Sequence, residues 1–317
     1  MTKTRNYKHM KFELITILGP TATGKTKLAA HLANQLNGEI ISADSRQVYK
    51  FLDIGTGKDL ADYIIDGNTV PFHLIDVAEP TEEYNLYNFQ MDFYKEFEKI
   101  KNKEKIPFLA GGSGLYLSSI LQNYKLKRAD NSEEKINELN SLSEEELRKT
   151  LLSLKPKQHN ITDLIDKERI IKAILIEETD NKNNSKAYGL ISSLNIGIKY
   201  ERGEIKKRIT NRLKKRFDEG MIEEVSNLLN IGITHDKLAF FGLEYKYISL
   251  YLLGDLNFND MFQKLNSAIH NFAKKQMTWF RKMEREGVNI NWFNGNDYNR
   301  ILTLIEKNFV ANAKPTG

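Results

Sequence analysis

Short apolar runs alternate with helical patterns over the first third of the chain. Apolar positions at helical spacing predict helices at Lys25–Leu36 and Asn88–Lys101. Short apolar runs bounded by turn residues predict strands at Leu14–Leu18, Gly38–Ser42, Phe72–Val77 and Ile106–Ala110. This alternation is typical of a parallel sheet with helices on its faces. We therefore predict an α/β fold.

The pattern changes after Tyr124. Charged helical segments and a polar loop then predict a mainly helical insertion: Ser132–Leu142, Ser143–Ser153, Thr162–Glu177 and the loop Asp180–Lys186. A returning strand and further helices are predicted at Leu194–Tyr200, Arg202–Leu229, Phe258–Glu286 and Asn299–Phe309. We expect a core formed by residues 11–124 and 194–317, interrupted by an insertion at 125–193.

Composition narrows the class of protein. With 317 residues, 40% of them hydrophobic, the chain has enough apolar surface for a real core. It has no cysteine, which excludes disulfides, zinc–thiolate sites and thiol nucleophiles. The apolar run before Gly19 is too short for a signal segment or a membrane span. We expect a cytoplasmic enzyme with no membrane segment.

Charge is unevenly distributed although the net charge is only +5. The segment from Glu201 to Arg216 contains Glu201 and Glu204 against the basic residues Arg202, Lys206, Lys207, Arg208, Arg212, Lys214, Lys215 and Arg216. By contrast, Glu133 to Glu146 is mainly acidic. One surface should therefore be distinctly positive.

The segment from Gly19 to Thr26, Gly-Pro-Thr-Ala-Thr-Gly-Lys-Thr, has the spacing of a phosphate-binding P-loop between a strand and a helix. Glycines let backbone N–H groups turn toward phosphate oxygens, and the helix directs its positive dipole end at them. Lys25 adds a charge, and the Thr26 hydroxyl suits a Mg²⁺ ion. This pattern predicts binding of a di- or triphosphate. A glycine-rich turn without a ligand is the alternative.

Two further strand ends carry chemistry. Asp44 follows the apolar strand that ends at Ser42, at the edge where ligands bind in open α/β sheets, so it is a candidate base; an Asp that caps a turn is the alternative. Ser113, in the turn Gly111–Gly114 after the strand predicted at Ile106–Ala110, offers a hydroxyl to a ligand, unless the segment is only a tight turn. The glycines of Asp53–Lys58 alone favour a surface turn.

His73-Leu74-Ile75-Asp76 fits either a Walker-B-like strand end or a buried strand with a capping Asp. The six histidines have no metal-ligand spacing, so we interpret each as structural.

Basic residues also recur in the helix predicted at Phe258–Glu286. Lys274, Arg281 and Arg285 share one face beside an apolar face formed by Ile269, Ala273, Met277 and Phe280. One such helix alone favours a solvated face. A second basic helix and the interleaved Trp279 favour nucleic acid.

Six motifs together resemble those of the bacterial tRNA dimethylallyltransferases, in the order of that family and over most of the chain. They are Gly19–Thr26, Ile41–Tyr49, Asp53–Lys58, His73–Asp76, Gly111–Tyr116 and Lys274–Arg281. The resemblance implies a P-loop NTPase-like sheet whose loop holds the pyrophosphate of dimethylallyl diphosphate rather than ATP. That loop consists of Gly19, Pro20, Thr21, Ala22, Thr23, Gly24, Lys25 and Thr26.

The resemblance also implies catalytic roles. Lys25 and, through Mg²⁺, Thr26 would stabilise the leaving pyrophosphate, while Asp44 would accept a proton from the exocyclic amine of an adenosine beside the anticodon. Ser113, where most relatives carry Thr, would hold the adenine or the donor. Such chemistry needs leaving-group stabilisation, a base and close positioning, and the adenine must leave its stack.

Contacts to tRNA are implied at Asp44, Ser45, Arg46, Gln47, Ser113, Glu168, Arg169, Lys172, Lys274, Lys275, Gln276, Thr278, Trp279 and Arg281. The insertion is expected to face the tRNA, and the protein is expected to be a monomer. At Ala239–Tyr245 the chain departs from the Gly-Tyr-Arg pattern that the family often carries, which puts some of its tRNA contacts in question.

Three alternatives stay open. An adenylate isopentenyltransferase shares the P-loop and the Asp but accepts a free nucleotide, and the basic helices argue against it. A small-molecule kinase should carry an arginine-rich lid, whereas the insertion is acidic. A nucleotide-switched RNA-binding protein leaves Asp44 and the Gly111–Gly114 turn without a role.

Overall fold

The computed structural model describes residues 11–128, 132–154, 166–178, 188–295 and 297–310. The predicted loop Asp180–Lys186 and the first residues of the helix predicted from Thr162 lie outside these ranges. The strands are β1 Leu14–Leu18, β2 Gly38–Ala43, β3 Ile64–Ile65, β4 Asn68–Thr69, β5 Phe72–His73, β6 Ile106–Gly111, β7 Ser193–Lys199 and β8 Ile290–Asn294.

The first α-helix is α1, Lys25–Leu36. Helices alternate with strands mainly in the first part of the chain. They continue as α2 Leu86–Asn102, α3 Gly114–Leu121, α4 Glu133–Asn140, α5 Glu144–Leu154, α6 Lys167–Glu178, α7 Arg202–Asp218, α8 Met221–Asn230, α9 His235–Phe241, α10 Leu243–Leu252, α11 Phe258–Arg285 and α12 Tyr298–Val310.

Within the described residues, six strands form one sheet in the order β5-β2-β6-β1-β7-β8, and every neighbouring pair is parallel. The register aligns three strand ends: Gly111 of β6 lies opposite both Leu18 of β1 and Ala43 of β2. The chain therefore leaves β1, β2 and β6 at one edge of the sheet. This edge brings the P-loop, Asp44 and Ser113 together, as the predicted α/β fold requires.

Two apolar clusters support this edge. One joins the sheet to α1 and α12, with Leu28, Leu32 and Ile301 fully or almost fully buried. The second joins the helices α7 to α11 and reaches the segment after β2 through Val48 and Tyr49. Burying one large apolar side chain contributes about 1.5–3 kcal/mol to the free energy of folding, so such clusters are the main source of stability. The helices at the carboxyl edge are thus fixed by packing.

Two predicted elements differ in extent. The strand predicted at Phe72–Val77 ends at His73 because Leu74 and Asp76 both adopt positive φ, 61° and 55°, which interrupts an extended strand. The single helix predicted at Arg202–Leu229 is two helices, α7 and α8. Gly220 between them has φ 95°, a conformation that suits glycine and turns the chain.

Some short elements were not predicted. The hairpin β3–β4 turns at Asp66 and Gly67, which both have positive φ, as a type I′ turn requires. Its strands have two residues each, too few for a periodic signal. The helices α9 and α10, and the edge strand β8, were also missed.

Contacts divide the chain into two units, Met1–Asn123 with Leu190–Gly317, and Tyr124–Gly189. In the second unit, the helices α4, α5 and α6 pack through an apolar cluster of their own that includes Leu147, Leu151, Ile170 and Ile174. Among the described residues, none of the helices combines the length and apolarity that crossing a bilayer demands.

The amino end of β2 contains a buried carboxylate, Glu39, which is 1% exposed. It accepts hydrogen bonds from Lys105 at 2.8 Å and from Lys103 at 3.1 Å, and pairs with Nε2 of His73 at 2.8 Å. Burial alone would raise the pKa of Glu39, but the hydrogen bonds from Lys105, His73 and Lys103 outweigh it and hold the pKa at about 2.

We expect Glu39→Gln to lower the free energy of unfolding by about 2 kcal/mol at pH 7. Because the folded pKa of Glu39 lies below its ordinary value of 4.5, its stabilisation is complete above that value and is lost as pH falls toward 2. Urea unfolding at pH 7 and at pH 3 measures this. Glu219→Gln, which removes an exposed pair with Lys215, should cost less than about 1 kcal/mol. An equal loss for Glu39→Gln at both pH values would contradict the account.

Candidate active site

A cavity of about 1100 Å³ opens at the carboxyl edge of the sheet. Three of its walls follow strand ends: the P-loop after β1, the segment from Asp44 after β2, and the turn from Gly112 after β6. The remaining walls come from residues between 55 and 63, from α7 and α11, and from the residues around Gly242. The sequence predicts the first three walls, and the resemblance also implies site residues on α11, of which Lys275, Gln276 and Trp279 line the cavity.

The P-loop closes on itself before α1 begins at Lys25. The Thr23 hydroxyl donates to the carbonyl of Pro20 at 2.9 Å, and Nζ of Lys25 donates to the same carbonyl at 3.4 Å. Thr21, Ala22, Gly24, Lys25 and Thr26 line the cavity, so the positive end of the helix dipole and the Lys25 ammonium face it. This arrangement can hold phosphate oxygens.

Asp44 lines the same cavity and is held by its neighbours. The Arg46 N–H donates to Oδ1 of Asp44 at 3.0 Å, and the Ser45 N–H donates to Oγ of Ser113 at 3.0 Å. Gln47 donates to the carbonyl of Gly57 at 2.9 Å. Asp44, Ser45, Arg46, Gln47 and Ser113 all line the cavity. A carboxylate and a hydroxyl thus lie side by side, facing the same space as the P-loop.

Arginines of α7 form a wall that the sequence analysis missed. Arg208 Nε donates to the carbonyl of Ala22 at 2.9 Å, and Arg212 lies 3.4 Å from Oγ1 of Thr21 and 2.7 Å from Asp59. Arg216 approaches the carbonyl of Gly55 at 3.5 Å. Their spacing of four residues places them on one helix face. The four-residue spacing indicates a shared face, whereas the net charge of the segment alone predicts only a positive surface.

The cavity gathers positive charge out of water. Burial lowers the pKa of Lys25 to about 8; Asp44 opposes this shift, while Arg212 and Arg216 add to it. Burial and Arg212 likewise lower the pKa of Arg216 to about 10, against Glu244. In the described part of the chain, Nε of Arg216 is buried without a hydrogen-bond partner. Such a site is complementary to a multivalent anion.

The segment Asp53–Lys58 supports this cationic wall. Glu224 of α8 accepts the backbone N–H groups of Asp53, Ile54 and Gly55 at 2.7–2.9 Å. Lys58 is buried and donates to Asp53 at 2.9 Å, and it also pairs with Asp76. Hence the loop is anchored at both ends, and its carbonyls face Arg212 and Arg216. It is more than the surface turn that its glycines suggest.

Asp76 and the histidines lie elsewhere. Asp76 pairs with Lys58 instead of lining the cavity, so it takes no Walker-B-like position. His73 pairs with Glu39, and His235 lies 2.6 Å from the Ser249 hydroxyl. Among the described residues, no cluster of three or more His, Cys, Asp or Glu side chains could hold a metal ion. His73 and His235 thus both have partners within the protein.

The motif on α11 is divided between the interior and the surface. Trp279 donates its indole N–H to the Ser118 hydroxyl at 2.8 Å, and Gln276 is buried against the P-loop. Lys274, Lys275, Thr278 and Arg281 are exposed. Lys275, Gln276 and Trp279 line the cavity. The helix therefore joins the cavity to a basic surface.

The departure at Ala239–Tyr245 also reaches the cavity. Glu244 lies 3.3 Å from Arg216, and burial raises the pKa of Glu244. The Tyr245 hydroxyl donates to Glu224 at 2.7 Å. Glu244 therefore holds Arg216, and Tyr245 holds Glu224, which anchors the loop Asp53–Lys58.

The candidate residues of the insertion belong to the other unit. Glu168, Arg169 and Lys172 are exposed on α6, whose opposite face carries the buried isoleucines of that unit.

A strand, P-loop and helix at the edge of a parallel sheet define a protein with a P-loop NTPase-like fold. The profile of the IPP transferase family matches residues 47–283, and an isopentenyl transferase profile matches residues 12–71. A tRNA dimethylallyltransferase 1 from Azobacteroides pseudotrichonymphae is 51% identical over 94% of this chain and 98% of its own length.

Solved structures agree. The full-length tRNA isopentenylpyrophosphate transferase from Bacillus halodurans superposes with a TM-score of 0.69 and 31% identity, over 94% of this chain and 97% of that one. A eukaryotic dimethylallyltransferase acting on tRNA shares the fold, with a TM-score of 0.76 at 20% identity, over 96% of this chain and 81% of that one. This chain belongs to the IPP transferase family.

Proposed function

We propose that this protein transfers a dimethylallyl group from dimethylallyl diphosphate to the exocyclic amine of the adenosine adjacent to the anticodon in tRNA. A curated tRNA dimethylallyltransferase and a solved tRNA isopentenylpyrophosphate transferase each match nearly the whole chain. The observation that carries the proposal is the single cavity in which Asp44 faces the P-loop and the α7 arginines. A base and an anion cradle are the two groups that this transfer needs.

The diphosphate of the donor binds the P-loop from Gly19 to Thr26 in this proposal. Lys25 neutralises it from one side, and Arg208, Arg212 and Arg216 do so from the other. Binding relieves the repulsion among these clustered cations, so the affinity comes from charges already in place. As the allylic carbon–oxygen bond breaks, negative charge grows on the diphosphate, and the cations stabilise the transition state more than the ground state.

Asp44 acts on the acceptor. The exocyclic nitrogen of adenine forms a bond to the allylic carbon, the diphosphate departs with the electrons of the broken carbon–oxygen bond, and the proton of the nitrogen passes to the Asp44 carboxylate. The Arg46 N–H orients that carboxylate. Ser113, placed by the Ser45 N–H, offers its hydroxyl to the adenine or to the dimethylallyl donor. The adenine enters the cavity after leaving its stack.

The donor set of the P-loop fits a magnesium ion. Thr26 presents a hydroxyl next to Lys25 at the cavity wall, and Mg²⁺ in phosphate sites is bound by few protein oxygens together with phosphate oxygens and water. Thr26 would hold the ion, which would neutralise charge on the leaving diphosphate when bound.

We propose tRNA contacts at the cavity and at residues of α11 and α6. Asp44, Ser45, Arg46, Gln47 and Ser113 would meet the target nucleotide. The α11 residues Lys274, Lys275, Thr278, Trp279 and Arg281 would meet the RNA beside it, and Glu168, Arg169 and Lys172 would do so from the insertion. We also propose that the protein is a monomer that works in the cytoplasm, where its acceptor is found.

We expect Lys274→Ala and Arg281→Ala each to weaken tRNA binding and to reduce the slope of log Kd against log salt concentration by about one. Both side chains are exposed, so the fold should be unaffected. Filter binding between low and moderate salt measures the slope. Lys307→Ala, which removes an exposed lysine of α12, serves as the control. A wild-type slope in both α11 variants would remove this helix from the RNA interface.

The α7 arginines change the case against a kinase. The acidic composition of the insertion was the evidence that an arginine-rich lid, expected of a kinase, is missing. The structure, however, places arginines of α7 against the P-loop. That argument therefore fails, and the kinase reading is now opposed by family membership instead. Transfer from radiolabelled dimethylallyl diphosphate, with Mg²⁺ and either unmodified tRNA, AMP or ATP as acceptor, separates the readings. We expect label in tRNA alone. Label on AMP would indicate the nucleotide-accepting branch, and no transfer would overturn the proposal.

A further inference from the structure

Gln276 lies among the α11 residues whose resemblance implies contact with tRNA, yet its side chain is buried, with 7% exposure. Both polar atoms of its amide are bound within the protein. Its Oε1 accepts the N–H of Thr21 in the P-loop at 2.8 Å, and its Nε2 donates to the carbonyl of Gly112 at 2.8 Å. One side chain therefore joins the P-loop to the neighbouring turn after β6, and both of these loops line the cavity.

The contact leaves no space for adjustment at Gly112. A Cβ atom at this position would lie 2.6 Å from Nε2 of Gln276, 3.2 Å from the carbonyl oxygen of Gly19 and 3.4 Å from Cε of Lys25. The 2.6 Å approach is too close for a side chain at this position unless Gln276 moves, so the turn and the amide pack tightly beside the P-loop. The neighbouring Ser113 binds the Ser45 N–H next to Asp44. Displacement of Gly112 would therefore move the acceptor side of the cavity.

We propose that Gln276 is a positioning residue that sets the distance between the donor diphosphate on the P-loop and the acceptor base beside Asp44 and Ser113. The proposal rests on the proposed transfer reaction. It gives Gln276 a role in the chemical step instead of RNA contact. Only a side chain with an acceptor and a donor on one short group satisfies both loops, as the amide does.

The size of the expected effect follows from the geometry of the reaction. Nitrogen and carbon must approach to about 3–3.5 Å with aligned orbitals, and a displacement of about 1 Å lowers the rate about 100-fold. Loss of the Gln276 bonds would loosen this spacing without removing any group that touches substrate.

The test compares kcat at saturating substrates, the Kd for tRNA and the melting temperature. We expect Gln276→Met, which has a similar length and no amide, to lower kcat about 10- to 100-fold with an unchanged Kd for tRNA. Gln276→Glu keeps an acceptor for Thr21 but has no proton for the Gly112 carbonyl, so its kcat should also fall. This near-isosteric variant is the second test if the methionine variant does not fold.

Gln90 provides the matched control. It is buried, with 3% exposure, and donates from Nε2 to the carbonyl of Ser119 at 3.0 Å, away from the cavity lining. Gln90→Met should lower the melting temperature and leave kcat unchanged. A wild-type kcat in both Gln276 variants would overturn the proposal, as would a weakened Kd for tRNA with an intact kcat. Absence of transfer by the wild-type protein would instead overturn the reaction on which the proposal rests.

Discussion

Replacement of Asp44 by Asn is expected to lower the rate of prenyl transfer in a single turnover about 100- to 10,000-fold, the range for loss of a general base. The amide oxygen can still accept the Arg46 N–H that holds Oδ1 at 3.0 Å, so the geometry of the wall should survive. Only the capacity to take a proton is lost. The measurement is rapid-quench transfer with enzyme in excess over labelled donor.

The Kd for tRNA should stay near that of the wild type in Asp44→Asn, because the phosphate contacts are elsewhere. A wild-type transfer rate would remove Asp44 from the reaction. Equal losses of rate and of tRNA affinity would assign the side chain to RNA binding.

The second large effect is expected at Arg216. Its guanidinium is buried at the cavity wall, its Nε has no partner within the described residues, and its pKa of about 10 reflects burial and the nearby Arg212. Because Glu244 lies 3.3 Å away, removal of the arginine alone would leave a buried carboxylate unpaired. We therefore combine Arg216→Gln with Glu244→Gln.

The paired variant should lower the single-turnover rate about 100- to 1,000-fold, as for loss of one preorganised donor to a developing anion. It should also weaken competition by inorganic diphosphate. Arg202→Gln, which changes an exposed arginine at the start of the same helix, should change neither quantity. A folded paired variant with wild-type rate and diphosphate affinity would show that the α7 wall does not bind the leaving group.

The strand ends of the site were predictable because their signals are local. An apolar run followed by glycines marks the P-loop, and Asp44 and Ser113 follow strands whose parallel order fixes their common edge. The location of the α7 arginines was not predictable in the same way. It depends on how a distant helix packs over the P-loop, and sequence spacing gives only the face, not its partner.

The orientation of α11 shows a finer limit. Met277 was assigned to the apolar face, yet it is only partly buried, whereas Gln276 is buried in line with Ile269, Ala273 and Phe280. A polar residue in phase with apolar ones is the signal of a buried hydrogen-bonding group. Because glutamine is polar, the apolar pattern did not identify this position as buried. The early end of strand β5 is a similar case. The residues that follow it are mostly apolar or β-branched, and nothing in that sequence indicates the positive φ of Leu74.

The most direct measurement is nucleoside analysis of the reaction product. Unmodified tRNA is incubated with the protein, Mg²⁺ and dimethylallyl diphosphate, and then digested and analysed by mass spectrometry; a transcript with guanosine in place of the target adenosine serves as the control. We predict that the dimethylallyl mass appears on the exocyclic amine of the adenosine adjacent to the anticodon, and that the guanosine transcript is unmodified. A dimethylallyl group on another nucleotide, or diphosphate release with no modified nucleoside, would contradict the account.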